Sequence, residues 1–234
     1  MSDQVATIER IMRYPVKSMA GEVLDSTRLT FQGMPFDRQW AFVQAESTSP
    51  FPFLTGRELA DLVLYSARYD GDGRTAVVET PAGERFAVAT AELRAHLQAR
   101  SGRPLFLMRD HRGNHDIAQV SLITTGTIGR IAAESGTLVE PDRFRANFYL
   151  RTLGDEPFAE DDWVGRVLRL GEEARVAVTE PDDRCVMITI DPHTAETNPA
   201  VLRAVAQGHG NKAGVYGVVL TPGVVRGGEP VCLE

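Results

Sequence analysis

The chain has 234 residues and a formal net charge of −7 at pH 7, and 43% of its residues are hydrophobic. This length is enough for one large domain or two small ones, and the apolar content is enough for a sizeable core. The acidic balance argues against non-specific binding to nucleic acid or to an anionic membrane. No apolar run approaches the roughly 18 residues of a membrane span.

Cysteine usage and the N-terminal segment bear on the cellular compartment. Residues 1–13 alternate polar and apolar side chains and lack the apolar region of a signal peptide. The two cysteines, Cys185 and Cys232, are too few for a disulfide framework. We therefore expect a cytoplasmic protein with no membrane and no nucleic-acid partner.

Short strands separated by turns dominate the first half of the chain. Alternating or β-branched runs predict strands at residues 5–14, 23–31, 36–43, 62–69, 75–79, 85–88 and 105–108. The sequence Asp70-Gly71-Asp72-Gly73 is typical of a turn between two of them. Thr90 is a suitable N-cap for a helix over residues 91–100, which Gly102 would end.

The second half has the same character. Its predicted strands are residues 120–123, 164–170, 174–178, 186–190, 215–221 and 230–233. Thr124 or Thr125 would cap one helix, and Asn198 would cap another with Pro199 in its first position. The pattern predicts a mainly β, α+β protein with a few short helices and barrel-like architecture. A polar stretch divides it into predicted domains 1–110 and 111–234.

Cys185 is the residue with the greatest chemical potential. It follows Arg184 and precedes the apolar run 186–190, which reads as a buried strand. A neighbouring cation favours the thiolate, the form that attacks electrophiles or binds a soft metal. The alternative is a cysteine packed as a small hydrophobe at a strand edge, and the residues alone leave both open.

Several stretches carry groups that suit an anion. Lys17 and Ser18 present a charge and a hydroxyl where a strand leaves for a loop, a pair that could hold phosphate or form a solvated turn. If residues 141–150 are extended, Arg143, Arg145 and Asn147 share one face and could grip a polyanion. The alternative there is a solvated strand face.

Two further groups of residues have both a functional and a structural interpretation. Arg38 follows Asp37, which could orient its guanidinium or form an ordinary surface pair. His111 and His115 have the i, i+4 spacing of helical metal ligands, but Gly113 lies between them and disfavours a helix. We do not expect a metal site at these histidines.

In order along the chain, the motifs resemble a known family. The first half resembles the smaller N-terminal β-barrel domain that precedes a MOSC domain, in Tyr14-Pro15-Val16-Lys17-Ser18, Phe36-Asp37-Arg38 and Leu54-Thr55-Gly56-Arg57-Glu58. The second half resembles the MOSC domain, the C-terminal domain of molybdenum-cofactor sulfurases, in Arg143-Phe144-Arg145-Ala146-Asn147, Phe158-Ala159-Glu160-Asp161-Asp162-Trp163, Arg184-Cys185, Thr189-Ile190-Asp191-Pro192 and Gly214-Val215-Tyr216-Gly217. The architecture is similar to the mitochondrial amidoxime-reducing components and their bacterial counterparts.

The resemblance implies a molybdenum cofactor, with Cys185 as the metal ligand and catalytic residue. It places Thr124 or Thr125 near the phosphate of the pterin. The implied cofactor pocket is lined by Lys17, Ser18, Arg38, Arg145, Asp183, Arg184 and Tyr216, and Asn147 joins them from the predicted strand face. Nothing in the sequence indicates pyridoxal phosphate.

The chain departs from the family in places. Relatives often carry a cysteine where this chain has Asp182, and proline where it has Ala146. Some bacterial relatives add an iron–sulfur domain, and two cysteines cannot hold such a cluster here. No Gly-x-Gly-x-x-Gly fingerprint follows a strand either. We therefore expect electrons to come from a separate ferredoxin, flavoprotein or cytochrome.

The expected function is reduction of small N-hydroxylated compounds to amines by a molybdenum-dependent oxidoreductase. One alternative is a non-catalytic carrier that holds the cofactor, or a persulfide, on Cys185. Another is an enzyme with a cysteine nucleophile, for which neither His193 nor His209 is an obvious base.

Overall fold

The longest strand of the first half begins almost at the N-terminus. In the computed structural model, which describes residues 3–70 and 75–234, it spans Asp3–Arg13. Ala6, Ile8 and Ile11 are buried along it. This strand confirms the alternation seen in the sequence. It pairs with strands from the C-terminal half of the chain, so it joins the two halves.

The described residues form fifteen strands and three α-helices. The strands are β1 (Asp3–Arg13), β2 (Glu22–Leu24), β3 (Ser26–Leu29), β4 (Trp40–Gln44), β5 (Ser66–Tyr69), β6 (Ala76–Glu79), β7 (Arg85–Ala87), β8 (Leu105–Arg109), β9 (Val120–Thr124), β10 (Phe148–Thr152), β11 (Val167–Leu170), β12 (Ala174–Asp183), β13 (Lys212–Thr221), β14 (Gly223–Arg226) and β15 (Pro230–Leu233). The helices are α1 (Ala91–Ser101), α2 (Thr125–Ser135) and α3 (Pro199–Gly208). Most of the turn predicted at residues 70–73 lies outside the described residues.

Seven strands close into a barrel. Their order is β10-β9-β13-β12-β11-β15-β1, and the pairing of β1 with β10 closes the ring. Strands β9 and β10 are parallel, and helix α2 makes the crossover that a parallel pair requires. The barrel core includes Leu122, Phe148, Leu168, Val176 and Val215. The predicted mainly β, barrel-like fold is confirmed.

The remaining N-terminal elements have their own core. Strands β4 and β8 pair, and β5, β6 and β7 form a three-stranded sheet. Helix α1 contributes buried Leu93 and Leu97 to a cluster with Leu54, Leu62 and Tyr65. Strand β1 belongs to the first half of the sequence but is part of the barrel that the second half mostly forms. The division at residue 110 stays a prediction.

The predicted helix caps are confirmed. The Thr90 hydroxyl accepts a hydrogen bond from the Leu93 amide at 3.4 Å, and the Thr124 hydroxyl accepts one from the Thr127 amide at 3.2 Å. The Asn198 side chain caps α3. These bonds satisfy amides that a helix leaves unpaired at its start. None of the helices in the described part of the chain is long and apolar enough to cross a membrane.

The strand predicted at residues 186–190 was wrong, and so was the shared strand face considered for Arg143, Arg145 and Asn147. Residues 186–189 form a 3₁₀ helix, because β12 leaves its partner β13 at Asp183 and Val186 remains 45% exposed. Residues 141–143 form another 3₁₀ turn, and extended structure begins only at Phe148. Arg143, Arg145 and Asn147 therefore do not share a strand face.

Candidate functional site

A cavity of about 430 Å³ lies where loops of the N-terminal half meet one end of the barrel. This volume is within the usual range of small-molecule sites. Loops after β1 and before β4 contribute from one side, and the segments before β10 and after β12 from the other. The cavity brings together most of the predicted site residues, namely Lys17, Ser18, Arg38, Arg145, Asn147, Asp183, Arg184, Cys185 and Tyr216.

Thr124 and Thr125 are not brought to the cavity wall. The Thr124 hydroxyl donates to the Glu160 carboxylate at 2.6 Å, and the Thr124 amide donates to the other carboxylate oxygen at 3.1 Å. Burial raises the pKa of Glu160. This buried network fixes the start of α2, so it explains Thr124 as a structural residue.

Cys185 lies just after β12 and is partly exposed. The guanidinium of its neighbour Arg184 is used elsewhere: Nε donates to the Ala213 carbonyl at 2.7 Å and Nη1 to the Phe144 carbonyl at 2.8 Å. Arg184 also pairs with Asp182 at 2.9 Å. Arg184 therefore does not activate the thiol, as its position in the sequence suggested. Its guanidinium instead joins three segments around the cavity.

The cation beside the thiol is Arg57, which sequence reasoning missed as a site residue. A hydrogen bond to the Cys185 sulfur raises the pKa of Arg57. The guanidinium lies over the Phe51 ring, 5.2 Å from its centroid. Gly56 allows the backbone before Arg57 to pack closely against the segment after Cys185, because a Cβ at residue 56 would lie 3.0 Å from the sulfur of Met187. Only the tertiary structure brings residues 56–57 to the segment after Cys185.

Lys17 is buried and already partnered. Its ammonium donates to the Asn114 carbonyl at 2.7 Å and pairs with Asp116. Burial lowers the pKa of Lys17, and Asp116 opposes that effect. Ser18 follows it in the wall of the cavity. The Asp116 carboxylate therefore offsets part of the positive charge with which Lys17 could attract an anionic ligand.

Arg38 and Arg145 form the cationic centre of the cavity. Both guanidiniums lie over the Tyr14 ring, at 4.7 and 4.5 Å from its centroid. Arg38 pairs with Asp37, which raises the pKa of Arg38 against the opposing effect of burial. Among the described residues, no carboxylate forms an ion pair with Arg145, and burial, with Arg38 nearby, lowers its pKa.

One nitrogen of the Arg145 guanidinium, Nη2, is a buried hydrogen-bond donor that lacks an acceptor among the described residues. A buried donor without an acceptor costs free energy, more so when it is charged. An anionic group in the cavity would supply the missing acceptor, so the wall fits a ligand that carries negative charge.

The backbone is strained at three of these positions. Ser18, Arg38 and Arg145 have φ values of 66°, 49° and 54°, a left-handed conformation that few residues other than glycine adopt. Such conformations cost of order 1–3 kcal/mol each and cluster at functional sites. Their coincidence in one wall supports a site built to hold these side chains in place.

Other predicted residues support the wall. The Asn147 amide oxygen accepts from the amide and hydroxyl of Ser121, both at 3.2 Å, and its nitrogen donates to the Met12 carbonyl. Arg143 is tied to Asp191 at 2.7 Å and to the Thr189 carbonyl at 2.8 Å. Asn147 and Arg143 thus fix the chain around Arg145.

Asp182 and His115 also lie in the wall, although sequence reasoning did not select them. Burial raises the pKa of Asp182 to about 6, although Arg184 opposes the shift. Tyr216, which also lines the cavity, lowers the pKa of Asp182 and so opposes the shift as well. Burial, and then the charge of Arg38, lowers the pKa of His115. In the sequence, Asp182 stood out only as a departure from the cysteine of relatives.

Family comparisons agree with this geometry. Residues 109–232 match the MOSC domain, and residues 5–113 match the MOSC N-terminal beta barrel domain. The chain belongs to the MOSC domain family. This confirms the resemblance drawn from the motifs, and Cys185 and Arg145 lie within the MOSC domain.

The relatives of this MOSC protein are distant. It is 28% identical to the molybdenum cofactor sulfurase of Drosophila grimshawi over 87% of this chain, and spans only 31% of that protein's length. It is 24% identical to the human mitochondrial amidoxime-reducing component 1, over 98% of this chain and 83% of the relative. The YUAD protein of Bacillus subtilis matches the whole chain with a TM-score of 0.54 at 16% identity, which shows a shared fold.

Proposed function

We propose that this MOSC protein is a molybdenum-cofactor oxidoreductase that reduces N-hydroxylated compounds to amines. One observation carries the proposal: a partly exposed thiol, Cys185, shares a cavity with the buried guanidinium of Arg145, whose Nη2 has no hydrogen-bond partner among the described residues. A soft thiolate suits molybdenum, and a guanidinium suits a phosphate. The name of the human relative, an amidoxime-reducing component, supports this reaction class.

The residues present fit such a cofactor. Cys185 would hold the metal, while Arg38 and Arg145 would hold the anionic part of the pterin with Lys17 and Ser18 beside them. The cofactor, when bound, supplies the two-electron chemistry that no side chain of the chain can perform. The strained backbone of Arg38 and Arg145 keeps their charges in position before the cofactor arrives.

The mouth of the cavity has a different character. Phe51, Ile117 and Met187 contribute apolar surface, and Ile117 is 51% exposed. Arg57 lies over Phe51 and contacts the Cys185 thiol. These side chains would bind the organic part of a small N-hydroxylated substrate and restrict water around it.

We also propose that electrons come from a separate protein and that the chain acts in the cytoplasm. With only two cysteines and no dinucleotide fingerprint, the sequence offers no route from a nicotinamide. A ferredoxin, flavoprotein or cytochrome would be the donor. Each turnover needs two electrons and two protons and releases the amine and one water.

Molybdenum analysis and an anaerobic assay of amine formation test the proposal. Freshly purified protein should contain molybdenum and reduce a hydroxylamine or amidoxime with a reduced viologen. With NADH or NADPH alone it should be inert. Turnover with NADPH alone would show an electron-entry site in the chain itself. Metal-free protein that cannot be loaded, or loaded protein inert with viologen across several N-hydroxylated substrates, would overturn the proposal.

A second candidate is a carrier of the cofactor or of a persulfide on Cys185. The sulfurase relative and the partial exposure of the thiol favour it. Molybdenum-loaded protein without turnover, or a cyanide-labile sulfur that Cys185→Ser removes, is the result expected of a carrier.

A further inference from the structure

Asp182 is a buried carboxyl in the wall of the cavity, three residues before Cys185. Its relative exposure is 4%. The register of β12 and β13 pairs Glu180 with Tyr216, and Asp182 follows two residues later on the same strand. Asp182 and Tyr216 both line the cavity, and Tyr216 favours the ionised Asp182 carboxylate. The carboxyl therefore lies near a tyrosine hydroxyl in the wall of the cavity.

Charged groups from several elements face Asp182. Arg184, on the same segment, pairs with it at 2.9 Å. Asp116 and Arg38 reach it from two loops, the first favouring the protonated carboxyl and the second opposing it. Burial outweighs the attraction of Arg184 and Arg38, so the carboxyl keeps its proton to higher pH than an exposed aspartate.

The other titratable groups of the cavity are poor proton donors. Arg38 and Arg145 stay charged and do not release a proton near neutral pH. Lys17 is tied to Asp116. Burial, and then Arg38, lowers the pKa of His115, so its ring binds a second proton less readily than an exposed histidine does. Asp182 differs from these groups because its pKa of about 6 leaves part of the carboxyl protonated just below neutral pH.

We propose that Asp182 is the proton donor to the oxygen that leaves the N-hydroxylated substrate, and that Tyr216 positions its carboxyl. The inference rests on the proposed function. In the balanced reaction, R–NHOH, two electrons and two protons give R–NH₂ and H₂O. The N–O bond breaks, the nitrogen is reduced by electrons from the donor protein, and the Asp182 proton leaves in the water. Solvent at the cavity mouth restores that proton and supplies the second.

The test compares Asp182→Asn with Glu180→Gln, which removes an exposed carboxylate two residues earlier on the same strand. With reduced viologen, Asp182→Asn should lower kcat per bound molybdenum about a hundredfold or more, the usual contribution of a general acid. It should also remove the fall in kcat that we expect of the native protein as the pH rises above about 6. Glu180→Gln should behave like the native protein, and Tyr216→Phe should lower kcat with a shifted pH profile.

A second readout does not depend on turnover. Difference infrared titration of the cofactor-free protein should show a carboxyl that titrates near pH 6 and is missing in Asp182→Asn. If Asp182→Asn keeps kcat per molybdenum within threefold and an unchanged pH profile, the inference is wrong. It is also overturned if the titrating carboxyl remains in that variant. Native loaded protein that reduces no N-hydroxylated compound refutes the proposed function instead, and the infrared titration still reports on Asp182.

Discussion

Replacing Arg145 with methionine should have opposite effects on two quantities. These are the free energy of unfolding of the cofactor-free protein and the affinity of the cavity for an anionic ligand. Methionine keeps a flexible apolar stem over Tyr14 and removes the charge. The substitution loses a cation–π contact, about 1 kcal/mol, with the ring centroid 4.5 Å away. It also relieves a buried donor without a partner, worth about 1–3 kcal/mol. The relief is the larger effect, so the free energy of unfolding of the cofactor-free protein should stay the same or rise by about 1–2 kcal/mol.

The effect on the cofactor has the opposite sign. A hydrogen bond from a guanidinium to an ionised group contributes about 1.5–3 kcal/mol, and 1.4 kcal/mol is tenfold in affinity. Losing one such bond should therefore weaken retention of the cofactor by about ten- to a hundredfold. Urea denaturation of the cofactor-free protein gives the first quantity, and molybdenum content after extensive dialysis gives the second.

Arg151→Met is the matched control, because Arg151 follows on β10 and its side chain is 58% exposed. It should change neither molybdenum retention nor, by more than about 0.5 kcal/mol, the stability. The reasoning is refuted if Arg145→Met destabilises the cofactor-free protein by more than about 1 kcal/mol and still retains its molybdenum. Arg145 would then be a structural residue held by Tyr14.

Three further predictions concern other positions. Cys185→Ser should abolish molybdenum retention and amine formation, because a hydroxyl is a poor ligand for a soft metal; Cys232→Ser, in a buried position away from the cavity, should leave both intact. Glu160→Gln should lower the free energy of unfolding by about 1–3 kcal/mol in urea titrations, because a donor of Thr124 loses its carboxylate acceptor; an unchanged midpoint would contradict the role of that network. The pKa of Asp182 is about 6 in the folded protein against 3.8 for the unperturbed residue, so the folded state binds its proton more tightly. Its stabilising contribution is therefore present below about pH 4 and lost as the pH rises to 6, and Asp182→Asn should remove that slope from urea midpoints measured across this interval.

Local chemistry settled the elements that the sequence predicted well. The caps at Thr90, Thr124 and Asn198 depend on a side chain and an amide two or three residues away. The strand β1 follows from period-two burial along a single segment. The ordered motifs around Lys17, Arg145 and Cys185 also predicted the family, and the family predicted most of the cavity wall.

The run after Cys185 shows the limit of prediction from local sequence. It is apolar and β-branched, but no strand in the described part of the chain pairs along it, since β13 pairs with β12 only as far as Asp183. Without a ladder of hydrogen bonds the apolar residues pack as a 3₁₀ helix instead. Whether a β-prone run becomes a strand thus depends on a partner that is distant in the sequence.

The order of residues along the chain was enough to predict a mainly β protein of the MOSC family, with a thiol and several cations in its candidate site. Which cation contacts which group depends on contacts between segments that are distant in the sequence. Arg184 is adjacent to Cys185 in sequence but binds backbone carbonyls, whereas Arg57, 128 positions away in the printed numbering, contacts the sulfur. Tertiary packing also buries Asp182 and leaves Nη2 of Arg145 with no hydrogen-bond partner in the described part of the chain, because desolvation and pairing depend on neighbours from every element packed around the cavity.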